Sequence, residues 1–589
     1  MVASSPPSAG LRHLLPLLMG AALIGCSTIP LGSGTALAQS DAESSPSDAS
    51  AASDTQTPTD PPVDSQLMFE IMIAELAGRR GQLDVAMAGY LRAAERTDDP
   101  RVSERASRLA IFGRQWKEAE KAANRWLKLD PDSKDAPPIL AQALLYQGKT
   151  DEAASLYLDI LEAADNLPLA LQQIQFDLQR HDSPEQSLAV LDQILEKYPE
   201  EIDVHLAVAQ AHLNASDRDS ALGAVDAALQ IDEDHVAGLL LRGQILSALG
   251  RPEEGFAMIQ TALEKNPANT SLRLGYAQLL VDSGRFDSVG EELDTLYEAD
   301  KQNSDTLLAI SLLALDSRRF ERATVYLNEL EARGDHPDHA NFYLGRIKDQ
   351  QQEYEQAIQY YDAVGESDLQ LTALIRAAEL TAQIGDLEQG RERLHAVSAN
   401  VANPAMQPRL ISAESRMLQQ ADQSGEAVQV LTEGLERFPD NSDLLYARAL
   451  TADSAGDSNM LVDDLSRLIQ LEPENAHALN ALGYYYVDNN VELDKAEGLL
   501  LDAIRIEPND PAIMDSVGWL YYRQGRIDEA VEQLRAAYQL LPDPEIAAHL
   551  GEALWVSGAQ TEARELVQQA LLESPDDANL LRVKNEYIK

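Results

Sequence analysis

The sequence predicts an all-α fold, a solenoid of stacked helix pairs, and two observations carry the prediction. Prolines suited to closing a helix fall at Pro131, Pro199, Pro267, Pro439, Pro473, Pro508, Pro542 and Pro575. Their spacings are 68, 68, 172, 34, 35, 34 and 33 residues, which reduce to one unit of about 34, doubled twice and repeated about five times across the long gap. Within a unit, small residues recur at fixed offsets: Gly518, Gly525, Ala530 and Ala537 precede Pro542, and Gly551, Gly558, Ala563 and Ala570 precede Pro575. Small side chains are needed where two helices cross closely, and large apolar ones fill the space between them. Proline ends the second helix because it has no N–H to donate and its ring clashes with the preceding turn. One pair cannot bury its apolar face alone, so stacking makes a superhelix with a concave and a convex side.

Two segments precede the repeats. Arg12 and the amino terminus give a positive start, and Leu14 to Ile24 form an apolar run of eleven residues. Crossing a bilayer takes about 20 apolar residues, so residues 1–25 read as a signal peptide and not as a permanent helix. Leu23-Ile24-Gly25-Cys26 follows at once, holds the only cysteine of the chain, and resembles the lipobox of bacterial lipoproteins. The resemblance implies acylation of Cys26 with several fatty chains, palmitate among them, and several chains give stable anchoring where one does not. Ser27, in place of the Asp that commonly retains such proteins at the inner membrane, favours the periplasmic face of the outer membrane. Ala36-Leu37-Ala38 offers an alternative cut before Gln39, although Pro30, Gly32 and Gly34 separate it from the apolar run. One cysteine permits no intramolecular disulfide. Residues 26–64 then hold the lipidated cysteine and a tether with six acids and no Lys, Arg or aromatic residue. Such a composition cannot bury enough apolar surface to fold, and as a flexible coil it spans about 35 Å.

From Gln66 onward the period and the residues that hold it resemble the tetratricopeptide repeat. Asn480-Ala481-Leu482-Gly483-Tyr484-Tyr485-Tyr486 opens the first of three units that match the pattern at nearly every position, and Tyr521 and Leu534 join the small residues of the next. Gly243, Gly250, Ala262 and Pro267 repeat the register, with weaker copies around Gly81/Ala86, Gly148/Ala153, Phe320/Ala323 and Tyr354/Ala357. The organisation expected is an amino-terminal array over 65–365, a degenerate repeat over 366–410, a carboxyl-terminal array over 411–575 and a polar capping helix over 576–589. Together they make a right-handed superhelix of about 11 to 15 helix pairs. In this family the first helix of each pair lines the groove. The resemblance therefore implies a peptide- or protein-binding groove at Asn480, Tyr484, Asp515, Trp519, Tyr522 and Trp555, with Tyr486 and Tyr521 as packing residues. Trp116 and Trp126 fall within an amphipathic helix pattern and read as core.

The formal charge is −50, and setting aside the signal segment's +1 and the tether's −6 leaves −45 on the repeats. Nucleic acid is excluded as a partner, since binding it needs basic stripes to displace counterions. Acidic wall polymers and anionic lipid heads are disfavoured for the same reason, whereas a basic protein is attracted. No catalytic constellation stands out. His205 and His212 could share a helix face, and His336-Pro337-Asp338-His339 reads as a loop, but neither pair has further ligands at metal-site spacing. With 97 acidic residues, paired carboxylates carry no information about acid–base chemistry. There is no Walker-type glycine loop and no nucleophile elbow. The reading is non-enzymatic, with no cofactor and no metal.

The lipobox, the acidic tether, the long repeat array and the string Asp515-Ser516-Val517-Gly518-Trp519-Leu520-Tyr521-Tyr522-Arg523 together resemble a proteobacterial family of large outer-membrane repeat lipoproteins. Its LbcA-like members are adaptors of a carboxyl-terminal processing protease, and the smaller NlpI-like proteins are an analogue. The resemblance implies a lipid-anchored periplasmic adaptor that docks this serine protease and delivers peptidoglycan hydrolases to it. Residues from about Gln66 to Arg96, which emerge beside the tether, are the candidate docking segment. The alternative is a scaffold for another envelope complex, in secretion, pilus assembly or polysaccharide export.

Overall fold

The computed structural model describes residues 64–588, apart from 81 and 402. The signal segment, Cys26 and the acidic tether lie outside the described residues. Those described form 31 α-helices and one short 3-10 turn, with no strand among them. None of these helices is long and apolar enough to cross a membrane. All eight prolines of the sequence pattern stand two residues beyond the last residue of a second helix, from Trp116–Leu129 before Pro131 to Gln560–Glu573 before Pro575. The opposite ends are set by side-chain caps. In the carboxyl-terminal repeats the Oδ1 atoms of Asn441, Asn475, Asp510 and Asp577 each accept the backbone N–H three residues on, at 2.9–3.0 Å, satisfying a donor that the helix leaves without a partner.

The chain divides into two compact units, one running to Ala323 and the other from Thr324. In the first, Leu140, Tyr157, Leu171 and Ile194 belong to one continuous core. In the second, Leu482, Leu500, Val517 and Leu520 do the same. The stretch that reads as degenerate in sequence still contains a helix pair, Gln370–Gln383 and Leu387–Asn400, followed by the turn Pro404–Met406.

Within a pair, the crossing point tolerates almost nothing. A β-carbon built on Gly518 would stand 2.6 Å from Leu534 Cγ of the following helix. The turn between the two helices then needs one residue in the left-handed region. Gly525 supplies it with a φ of 79°, whereas the preceding pair uses Asn490 at 54°, where a side chain is strained. Charge also ties helix to helix in the second unit. Arg448 forks onto Asp464 of the next helix through two bonds of 2.7 Å, with Asp464 buried.

Two expectations need correction. Trp126 is buried, but Trp116, the first residue of its helix, is only partly buried and stacks on Tyr146 with centroids 4.0 Å apart and planes 10° apart. An amphipathic pattern assigns a face and cannot tell a helix's first turn from its middle. The predicted loop at 336–339 ends at His336, and Pro337 opens the helix Pro337–Gln350, because proline fits a first helical position whose N–H needs no partner.

Gly518→Ala is expected to lower the stability of the second unit by about 1–3 kcal/mol, the usual cost of overpacking. Urea unfolding followed by tryptophan fluorescence checks it, and an unchanged midpoint contradicts the tight crossing.

Candidate protein-binding site

The first helices of successive pairs lie side by side in the second unit. Ala476–Asp488 packs on Pro511–Arg523, that on Pro544–Ser557, and that on the terminal helix Ala578–Glu586. Asn480, Asp515 and His549 stand one repeat apart along these helices and so occupy equivalent positions, with Arg582 next in the series. Equivalent residues of stacked repeats come together: both carboxylate oxygens of Asp515 lie 2.9–3.0 Å from His549 Nδ1, and both side chains are buried.

Above this pair the rings form a ladder. His549 stacks on Trp519 at 4.1 Å and 16°, and Trp519 stacks on Tyr522 at 4.7 Å and 7°. The Arg523 guanidinium lies 4.9 Å from the Trp519 ring centre. Tyr484 donates its hydroxyl to Glu545 at 2.6 Å. Buried Glu552 pairs with Arg582 at 2.5 Å, which brings the terminal helix onto the wall. Burial, then the hydrogen bond and charge of Glu545, push the Tyr484 phenol well above its ordinary value. Tyr522 is raised in the same way, by burial and then by Tyr587 and Glu552. His549 is the opposite case: burial pulls it down, but the hydrogen bond to Asp515 and the charges of Asp515, Glu545 and Glu552 prevail and hold its pKa above the ordinary 6.5.

Two cavities open on this wall. One of about 380 Å³ is lined by Asn480, Tyr484, Asp488, Asp515, Asp543 and Glu545 among others. The other, about 520 Å³, shares Tyr484, Asp488 and Glu545 and adds Trp519, Tyr522, His549 and Glu552. Five of the six residues expected from sequence thus line one or other cavity. Trp555 lines neither: it faces Tyr587 of the terminal segment at 6.5 Å and lies under Arg564. A third cavity, about 880 Å³, is lined by Arg376, Arg409, Arg416, Tyr446 and His477, partly from the stretch that reads as degenerate. There Arg376 is forked onto Asp349 at 2.7 and 3.0 Å and Arg416 pairs with Glu379 at 2.7 Å. Among the described residues no group of three or more His, Cys, Asp or Glu side chains is arranged to hold a metal ion.

Models of the tetratricopeptide repeat match residues 104–168, 177–236, 246–313, 308–368 and 518–578, more than half of the chain. The TPR repeat-containing protein PA4667 of Pseudomonas aeruginosa is 36% identical over 494 residues, covering 82% of each chain. The chain belongs to the tetratricopeptide-repeat family. A shorter likeness, 34% identity over 148 residues, links it to bacteriophage adsorption protein A of Escherichia coli, covering 24% of this chain and 14% of that one. Among solved structures, the APC/C hetero-tetramer Cut9–Hcn1 overlays with a TM-score of 0.30 at 15% identity, covering 83% of this chain and 96% of that one. A tetratricopeptide-repeat array is a scaffold for protein interaction. Sequence reasoning missed His549 on the wall although it was within reach: one period added to Asp515 lands on it.

Because the folded pKa of His549 exceeds its ordinary 6.5, the pair with Asp515 stabilises fully below about pH 6.5 and its contribution is lost as pH rises through the raised value. Stability of the second unit is therefore expected to fall on going from pH 6 to pH 9. Asp515→Asn should cost about 1–3 kcal/mol at the lower pH and flatten this dependence. Hydrogen exchange of residues 511–557 at both pH values reads the effect, and a pH-independent wild type contradicts it.

Proposed function

We propose that this tetratricopeptide-repeat protein is a non-catalytic adaptor, lipid-anchored through Cys26 at the periplasmic face of the outer membrane. In this reading it binds a carboxyl-terminal processing serine protease and delivers peptidoglycan hydrolases to it. The observation that carries the reading is the wall built around Asp515, Trp519, Tyr522, Glu545 and His549, which combines buried aromatic surface with carboxylates and lies open on one side as two cavities. Aromatic side chains supply large contact area at low entropic cost and are typical hot spots of protein interfaces. The charge of −50 favours encounter with basic partners, which hydrolases acting on an acidic wall polymer commonly are. Holding enzyme and substrate on one scaffold makes their meeting intramolecular and raises apparent affinity without new contacts.

The docking segment for the protease is assigned to the first helix, Ser65–Arg79. Met68, Phe69, Met72 and Leu76 form a stripe at helical spacing, each at least half exposed, an apolar face of the kind that marks interaction sites.

The test is a pull-down from periplasmic extract with the soluble chain, residues 27 to 589, and mass spectrometry of what is retained. A carboxyl-terminal processing protease is expected, joined by wall hydrolases when its serine is inactivated. Recovery of secretion, pilus or polysaccharide-export components in their place would replace the adaptor with an assembly scaffold. Phe69→Asp combined with Met72→Asp is expected to cut protease retention at least about tenfold while leaving hydrolase retention intact, and equal loss of both would overturn the docking assignment.

A further inference from the structure

The two ends of the array differ. At the carboxyl-terminal end the last pair is covered by the helix Ala578–Glu586, which buries Leu580 and Val583 and leaves Asn579, Lys584 and Asn585 exposed. A stacked array needs such a polar end, because each pair shows an apolar face until a neighbour covers it. At the other end the first helix, Ser65–Arg79, leaves Met68, Phe69, Met72 and Leu76 exposed.

Repeat register identifies this stripe. Ala74 is the crossing residue of the first pair: it is buried, and a β-carbon built on Gly89 of the second helix would stand 2.9 Å from the Ala74 Cβ. Phe69 lies five residues before it and Leu76 two after. In the next pair the crossing residue is Ser107, buried and seven residues before the left-handed Arg114, as Gly518 is before Gly525. The same offsets from Ser107 give Val102 and Leu109, which pack on a core holding Ala74, Tyr90 and Ala94 of the first pair. From Gly518 they give Ile513 and Leu520. Ile513 is fully buried in a cluster with Leu479 and Ala503, and Leu520 in one with Leu482 and Leu500, all from the preceding pair. Phe69 and Leu76, by contrast, are 62% and 50% exposed. The stripe is therefore the stacking face of a repeat, at an end where no preceding pair covers it among the described residues.

A face of this kind selects a helix. Within the array it is filled by helices of the preceding pair, ridge into groove, and apolar anchors spaced along two turns are what an amphipathic helix engages. The tether cannot supply one, since between Leu37 and Val63 it has no large apolar side chain. A second copy is disfavoured because each chain carries a formal charge of −50, and like charges repel. A helix from a neutral or basic partner meets neither objection. Two of the four anchors are methionine, whose flexible thioether adapts to the contour of what it meets.

We propose that the open end of the array is closed by an amphipathic helix of a partner protein, seated on Met68, Phe69, Met72 and Leu76 in the place that the second helix of a preceding pair would take. The inference rests on assigning the first helix to partner docking, and it specifies what docks there: a helix with one apolar face and a neutral or basic opposite face. Because neighbouring repeats share their stability, a seated helix also steadies the pairs it joins.

The experiment is fluorescence anisotropy of a labelled, end-blocked peptide of about 18 residues, five helical turns, with leucines on one helical face and alanine, glutamine and lysine elsewhere. It is titrated with the unacylated chain, residues 27 to 589. A peptide of the same composition, scrambled so that the leucines share no face, is the control. The amphipathic peptide should bind and the scrambled one should not, and binding should slow amide exchange across residues 65–96 more than further along the array. Phe69→Ser with Met72→Ser should weaken binding at least about tenfold at unchanged helicity. Leu572→Ser, at an exposed position in the last pair, should leave it unchanged. Equal binding of the two peptides, or unchanged affinity in the double variant, overturns the proposal. A wild-type dimer that the double variant dissolves overturns it as well, and so does cosedimentation with neutral phospholipid vesicles that the double variant abolishes, because the stripe then has another occupant. If the protease co-purifies through the stripe while neither peptide binds, the helical seat falls and the docking reading stands. If the amphipathic peptide binds at the stripe and no protease co-purifies, the helical seat stands and the protease reading falls.

Discussion

Everything in the second unit depends on how closely the two helices of a pair can approach. At Gly518 the approach leaves no room for even one methyl group beside Leu534. That closeness fixes how each pair presents its first helix to the next, and a wall made of equivalent positions follows from it. Asp515 meets His549 because two successive crossings have the same geometry, not because either residue has any local tendency to seek the other. The energetics follow the same logic: a pair buries only one face by itself, and the rest of its apolar surface leaves water only against its neighbour.

How legible the molecule is in its sequence follows from what a period can encode. The ends of the second helices were readable because proline acts locally: all eight prolines stand two residues past a helix end. The packing glycines were readable because a close crossing admits few residue types. The pair Gln370–Gln383 and Leu387–Asn400 was harder to read, since its crossing relies on a different set of residues, with Gly390 set against the Ala378 carbonyl. On the wall, Tyr484, Asp515, Trp519 and Tyr522 came from register alone. His549 came from the same register and was overlooked because a lone histidine carries no pattern until its partner one repeat earlier is considered. Glu552 and Arg582 stand one period beyond Trp519 and His549, but their pairing was beyond reach, because it depends on how the terminal helix packs on the array.

Electrostatics divides into two uses of charge. Arg448 with Asp464 and Arg376 with Asp349 spend charge inside the scaffold, joining one helix to another. A buried pair of this kind fixes orientation more reliably than it adds stability, since desolvation offsets much of the attraction. On the wall, by contrast, carboxylates outnumber the cations available to them, and the imbalance is left facing a cavity.

The column that runs Asn480, Asp515, His549, Arg582 is neutral, acidic, titratable and basic in turn, and it changes character at every step without disturbing the crossings beneath it. Scaffold and recognition are thereby written in separate positions of the same repeat. A lineage of such proteins could exchange partners by point substitution along this column, or by duplicating and shuffling whole repeats, while the positions that govern folding stay under their own selection.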